Sequence, residues 1–271
     1  MSLSQRAFFS TRSRVTVETF FPLAMGVLGL MVGSFLNVCI LRWPKDESVV
    51  RPPSRCPGCD QPIAWYDNIP ILSWLLLRGR CRRCGTRISI QYPLVELAMA
   101  LIWAFLAWHH GLSLAAFAGA VFFAILVGIA LTDAREYLIP DEFSLGGLVL
   151  GILFSLPGGF ATIASALAGA ATGFLVLWAV GTLGTRMFKE EAMGGGDIKM
   201  MAMVGAFVGW QGVLLTIFLG ALLGTLVFVP LSFFRRKRLV PFGVFLSAGA
   251  AVTWLAGPAV ITWYRTFVLQ P

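Results

Sequence analysis

The sequence predicts an all-α polytopic membrane protein of about eight transmembrane helices, with a small cytoplasmic zinc-ribbon-like domain. Three observations carry that prediction. Of 271 residues, 58% are hydrophobic and only 13% charged, with mean hydropathy +0.81; a soluble domain carries about 25% charged residues. The apolar residues form long continuous runs, as helices spanning hydrocarbon require, rather than the short alternating segments of a membrane barrel. Four of the five cysteines fall in the one long polar stretch. Such a composition excludes a soluble globular protein and a disordered chain.

The elements follow in order. Residues 1–17 hold Arg6, Arg12 and Arg14 ahead of an apolar run. That run, 20–41, is too long for a signal h-region and ends in no small-residue cleavage site, so it is read as a first span. Residues 42–91 are rich in charge, proline and cysteine and are too polar to span. Further apolar runs occupy 92–108, 114–131, 143–156, 161–184, 198–210, 212–234 and 240–264. The expected organisation is an N-terminal segment and first transmembrane helix over 1–41, a cytoplasmic four-cysteine domain over 42–91 and a transmembrane domain over 92–271. Gly147/Gly151, Gly169/Gly173, Gly205/Gly209 and Gly220/Gly224 each form GxxxG, which predicts close helix packing.

The net charge is +8. Lys and Arg concentrate in alternate loops: 42–91, Arg135, Arg186, Lys189, Lys199 and the run Arg235-Arg236-Lys237-Arg238. The other side holds Arg6, Arg12, Arg14 and Arg265. The positive-inside rule then puts both termini outside and the Cys-rich loop in the cytoplasm.

Cys56-Pro57-Gly58-Cys59 and Cys81-Arg82-Arg83-Cys84 are two CxxC knuckles separated by 21 residues. That spacing reads as a four-thiolate zinc site, closed and therefore structural. Gly58 and Gly85 are expected to permit the turns, and Arg55, Arg82 and Arg83 to favour the thiolates. A cytoplasmic loop disfavours the alternative of two disulfides. Cys39 lies in the first span and reads as a small buried residue.

Acids are few. Asp133 ends the third apolar run, and Asp197 follows Gly194-Gly195-Gly196 at the start of the sixth. The topology places both at one membrane face. Two aspartates sharing a site hold one proton between them, and one can activate water while the other polarises a carbonyl. That is aspartyl peptide hydrolysis. The alternatives are an Asp133–Arg135 pair and an N-cap at Asp197; Asp141, after Pro140, also reads as an N-cap. Helix dipoles place the shared proton on Asp133, at a C-terminal end, and leave Asp197 as the base. Membrane acids also mark proton-coupled transporters, but apart from Glu96 none of these lies within a span. His109 and His110 fall in an opposite hairpin.

These residues resemble a known family, the bacterial type IV prepilin peptidases (leader peptidase/N-methyltransferases), which are GxGD membrane aspartyl proteases. The likeness rests on Gly33-Ser34-Phe35-Leu36-Asn37-Val38, Arg42 and Pro44, the two CxxC pairs, Asn68-Ile69-Pro70, Gly79-Arg80, Tyr92-Pro93 and Glu96. It continues through Asp133, Pro140-Asp141, Glu191, the GxGD stretch with Lys199, and Pro241-Phe242-Gly243. The resemblance implies Asp133 and Asp197 as catalytic residues, Gly194, Gly196 and Lys199 as motif support, and Cys56, Cys59, Cys81 and Cys84 as zinc ligands. It implies an inner-membrane enzyme that removes the basic leader of type IV prepilins and type II secretion pseudopilins, then N-methylates the new N-terminus with S-adenosylmethionine. A peptidase without methyl transfer is the alternative. Because such leaders are basic, Glu136, Asp141, Glu142, Glu190 and Glu191 are expected to form an acidic rim. Prepilins, pseudopilins and the lipid bilayer are the expected partners, and nothing in the sequence points to nucleic acid.

Overall fold

The computed structural model describes residues 3–190, 192–234 and 240–269. Among them the regular structure is helical throughout, with no strand longer than a single bridge. Six helices among the described residues are long and apolar enough to cross a membrane. The chain divides into two compact units, one of residues 1–42 and 46–124, the other of 43–45 and 125–271.

In the first unit, α1 (Leu3–Arg42) packs along α3 (Gln91–His110). Lipid is as apolar as a side chain, so no hydrophobic drive holds the two together and close van der Waals approach must. Glycines supply it: a Cβ at Gly29 would lie 2.6 Å from the Met99 carbonyl, and one at Gly33 would lie 2.7 Å from Glu96 Cα. Over residues 46–90 the first unit's helical structure is a 3-10 turn at Trp65–Asp67 and the short α2 (Leu72–Leu76). The Trp74 indole N–H donates to the Ile88 carbonyl at 3.2 Å, and its ring lies over Gly79.

The boundary between units falls within α4 (Leu114–Glu136). Tyr137, at φ 53, ends this helix with its N–H on the Asp133 carbonyl. The second unit continues with α5 (Asp141–Ser155), α6 (Phe160–Phe188), α7 (Gly195–Phe234) and α8 (Phe242–Tyr264). The glycine pairs meet as the sequence predicts. A Cβ at Gly169 would strike the Gly205 carbonyl, and one at Gly205 the Gly169 carbonyl. Gly249 lies against Gly220.

The runs 198–210 and 212–234 form one continuous element, α7, but it is not straight. Gly209 has φ 72 and ψ 176. A Cβ at Gly173 would touch both the Met201 carbonyl and the Val213 side chain. On a straight helix those residues would lie about 18 Å apart, so the chain folds back at Gly209 into two limbs. The limb before Gly209 is short for a lone span, whereas the one after it is long enough; α6 and α8 pack against α7, and Thr216 donates to Thr253 on α8 at 3.0 Å. The 143–156 run is α5, only 15 residues long.

Candidate active site and metal centre

Asp133 sits one turn before the end of α4 and is buried, 6% exposed. Its Oδ2 accepts the Val244 N–H at 3.2 Å, from the first turn of α8. A Cβ on Gly243 would lie 3.0 Å from that same oxygen, so the glycine leaves the carboxylate its room against the α8 backbone. Asp197 lies in the first turn of α7, one residue after Gly196. Its Oδ1 is shielded from solvent and has no hydrogen-bond partner among the described residues. The two carboxylates are near enough to interact electrostatically.

Ile139 links the segments that carry them. Its side chain sits 3.0 Å from the Cβ position of Gly196 and 2.9 Å from that of Gly243. It thus wedges between the starts of α7 and α8, just beyond the end of α4. Of the glycines before Asp197, Gly196 is the one with a steric requirement. Gly195 has open space, and Gly194 makes an ordinary 3.6 Å approach to Asp197 Oδ2.

Lys199 Nζ donates to both Asp141 oxygens, at 2.7 and 2.9 Å. This pair ties the start of α5 to the start of α7. Asp141 is therefore not an N-cap: Pro140 occupies that position and makes no side-chain cap, and Asp141 is the first helical residue. Glu136, Glu142 and Glu190 are exposed, and Glu191 lies outside the described residues. The dipole argument for dividing roles weighed each aspartate's own helix alone. It missed a third helix, because α8 directs its N-terminal N–H at Asp133, so the two carboxylates both meet helix N-termini. Sequence reasoning also missed Ile139 and the Val244 N–H; the signal for the latter was Pro241-Phe242-Gly243 opening an apolar run.

In the first unit, the four cysteines are free thiols whose sulfurs all lie within 4.8 Å of one another. Cys56 and Cys84 Sγ are 3.6 Å apart. A disulfide needs about 2.05 Å, whereas a tetrahedron with Zn–S of about 2.3 Å has edges of about 3.8 Å. The donor set fits zinc. The two knuckles are near copies: Asp60 N–H returns to Cys56 O and Gly85 N–H to Cys81 O. In each, the residue after the second cysteine takes positive φ, Asp60 at 52 and Gly85 at 72. Gly58 has a different role from the expected one. A Cβ there would collide with the Thr86 hydroxyl.

The arginines do not support the thiolates, because Arg55 pairs with Asp60, Arg82 with Asp67 and Arg83 with Gln61. Instead the Thr86 hydroxyl and N–H draw the Cys84 thiol down to about 6, and the N–H groups of Cys84 and Arg83 lower Cys81. Cys59 goes the other way. Against the Gln61 N–H, desolvation and the neighbouring Cys84 and Cys56 push it up to about 11. Four clustered sulfurs resist ionising together, and a divalent cation removes that conflict.

Two family models match the chain: the bacterial peptidase A24 N-terminal domain over residues 27–110, and the type IV leader peptidase family over 120–229. Relatives named prepilin leader peptidase/N-methyltransferase align over most of it. That of Stutzerimonas stutzeri is 40% identical over 274 residues, covering 91% of this chain and 94% of the relative. That of Aeromonas hydrophila is 37% identical over 267 residues, covering 89% and 92%. That of Myxococcus xanthus is 42% identical over 212 residues, covering 78% of this chain and 61% of the relative. No solved structure matches the chain. The first model runs through the cysteine tetrad and the second through both aspartates, and the chain belongs to the type IV leader peptidase family.

Proposed function

We propose that this chain is a membrane aspartyl endopeptidase that removes the leader of type IV prepilins and type II secretion pseudopilins at the cytoplasmic face of the bacterial inner membrane, and then N-methylates the new N-terminal residue. The observation that carries the peptidase reading is the electrostatic proximity of Asp133 and Asp197, on helix ends 64 positions apart in sequence, with one Asp197 oxygen buried and without a hydrogen-bond partner among the described residues. Such an oxygen is a ready acceptor for a proton from water.

The pair holds one proton and titrates as a unit. The ionised carboxylate takes a proton from water as the oxygen attacks the scissile carbonyl. The protonated partner gives its proton to the carbonyl oxygen. The gem-diol then collapses, the C–N bond breaks, and the leaving amine takes up a proton. Val244 N–H fixes the Asp133 carboxylate, and the Lys199–Asp141 pair braces the first turn of α7 that carries Asp197. Glu136, Glu142 and Glu190 offer exposed negative charge to a basic leader, and charge reversal at Glu142 should raise KM and weaken its salt dependence.

The relatives' name carries the second reaction, and S-adenosylmethionine is its methyl donor. When bound, the donor supplies an electrophilic methyl group to the free amine; the C–S electron pair stays on sulfur and the amine's proton leaves to water. Zinc, held by Cys56, Cys59, Cys81 and Cys84, is structural because four thiolates leave no open position. Family membership disfavours a proton-coupled transporter. A prepilin incubated with the purified chain, with and without S-adenosylmethionine and read by mass, tests both reactions. Leader loss plus one methyl is expected. An intact prepilin overturns the peptidase, and leader loss without added mass leaves a peptidase alone.

A further inference from the structure

In the first unit, residues 65–76 carry large apolar side chains that face outward. Leu76 is 82% exposed and Trp65 81%; Tyr66, Ile69, Leu72 and Leu75 are exposed as well. The short α2 is inside out. Leu72, Leu75 and Leu76, at spacings of three and four, share one face of it, and that face is exposed while Ser73 is buried. The Ser73 hydroxyl donates to the Tyr66 carbonyl at 2.8 Å and accepts the Ile69 N–H at 3.1 Å, so the 65–71 turn and α2 form one ridge. A helix on a water-facing surface turns its apolar stripe toward the core. A stripe turned outward marks an interaction surface.

The depth of the ridge identifies what meets it. The Ile71 N–H, immediately before α2, donates to Glu96 Oε2 at 2.7 Å, and the Glu96 carboxylate also bonds Ser34. Glu96 is buried and lies five residues into α3, about 7 Å along its axis. The Cβ position of Gly33 is 2.7 Å from Glu96 Cα, and Gly33 stands nine residues before the end of α1, about 13 Å. Both helices are among those long and apolar enough to cross a membrane, and at this level both are already within those segments. Met31 and Phe35, beside Gly33, and Leu94 and Leu97, beside Glu96, are exposed apolar residues of the same segments. The ridge therefore begins level with the surfaces that α1 and α3 offer to lipid, and not above them.

The medium at that level is the edge of the bilayer, where Trp and Tyr collect and apolar side chains leave water. We propose that the 65–76 ridge inserts into one leaflet and anchors the four-cysteine loop to the membrane surface, with Leu72, Leu75 and Leu76 among the acyl chains. The proposal rests on the membrane-spanning reading of α1 and α3. Exposed Arg78 and Arg80 follow the ridge, as cationic side chains do at the headgroup boundary. The anchor reaches the tetrad directly. Trp74 of α2 lies over Gly79 and donates to the Ile88 carbonyl, and the Ile88 N–H returns to the Gly79 carbonyl at 2.8 Å. Gly79 and Ile88 flank the second knuckle. A ridge held in lipid thus holds Cys81 and Cys84 at a fixed height instead of leaving them to swing between Arg42 and Gln91.

The test places the full chain in phosphatidylcholine vesicles that contain a phospholipid with a diazirine partway along one acyl chain. After photolysis the protein is digested and the labelled peptides are mapped by mass. Label is expected on the two spans, 18–42 and 91–110, and also on 69–77. In a Leu72→Asn/Leu75→Asn/Leu76→Asn variant the label on 69–77 should be lost, while zinc content and the label on both spans match the wild type, reporting that the unit has folded. Wild-type label on both spans with none on 69–77 overturns the anchor while the spans stand. Absence of label from α1 and α3 overturns the membrane reading itself. Label on 69–77 that an added prepilin displaces assigns the ridge to substrate, and label that falls as protein rises against lipid assigns it to a second copy of the chain; either overturns the anchor.

Discussion

The tetrad and the aspartate pair are built by opposite means. The tetrad sits on two near-identical turns within one loop, and each turn closes on its own backbone, Cys56 with Asp60 and Gln61, Cys81 with Gly85 and Thr86. The aspartate site draws on the end of α4 and the starts of α7 and α8, with the Val244–Asp133 bond crossing 111 positions. A site made of local turns announces itself by spacing. A site made of helix ends depends on how whole helices pack, and a single methyl in the wrong place displaces it.

The comparison breaks first at the aspartates. Asp133→Asn and Asp197→Asn should each lower kcat for leader cleavage by about 10²–10⁴, with zinc content unchanged. The double variant should be about as impaired as either single one, because the two act as a unit. Cleavage near the wild-type rate in either single variant would remove the pair.

Removing one ligand attacks the other region. Cys59→Ser should lose the bound metal, about one zinc per chain by ligand count, and should destabilise residues 42–91 to proteolysis. Methylation should suffer at least as much as cleavage. Elemental analysis that finds no zinc in wild-type protein with reduced thiols would eliminate the metal centre.

A milder change sharpens the contrast. Gly243→Ala places a methyl 3.0 Å from Asp133 Oδ2 and 2.9 Å from Ile139. Displacing the carboxylate by a fraction of an ångström should cost about 10–10² in kcat, with KM little changed. The same substitution at Gly195, where nothing lies within 4 Å, should be nearly silent. Equal losses at both positions would refute the packing account of the site.

The smallest effect concerns pH. The Thr86 hydroxyl is the largest of the influences, with the Thr86 N–H and the Cys56 and Cys59 sulfurs, that bring the Cys84 thiol down to about 6. Thr86→Val should raise that thiol toward its ordinary value. Protons then compete with metal at higher pH, so on acidification zinc should leave earlier, by less than about one pH unit. A chelator titration from pH 8 downward measures it; coincident curves for variant and wild type would show that Thr86 does not tune the site.

Composition and run length by themselves determined that this chain is a bundle of membrane helices, because ~20 apolar residues in lipid must satisfy their own backbone as helix. Spacing determined the tetrad, since a CxxC turn carries its geometry within a few residues. The glycine pairs were legible as contact points for the same reason: a residue without Cβ lets backbones touch wherever it falls. Local pattern could not show that 198–210 and 212–234 fold back on one another at Gly209, that Ile139 fills the space between Gly196 and Gly243, or that Lys199 pairs with Asp141. Nor could it show that α8 donates an N–H to Asp133, a helix terminus that a dipole argument made one helix at a time leaves out. Those are decisions of tertiary packing. The energy of each depends on atoms brought together from distant parts of the chain, and a sequence window contains only one of the partners.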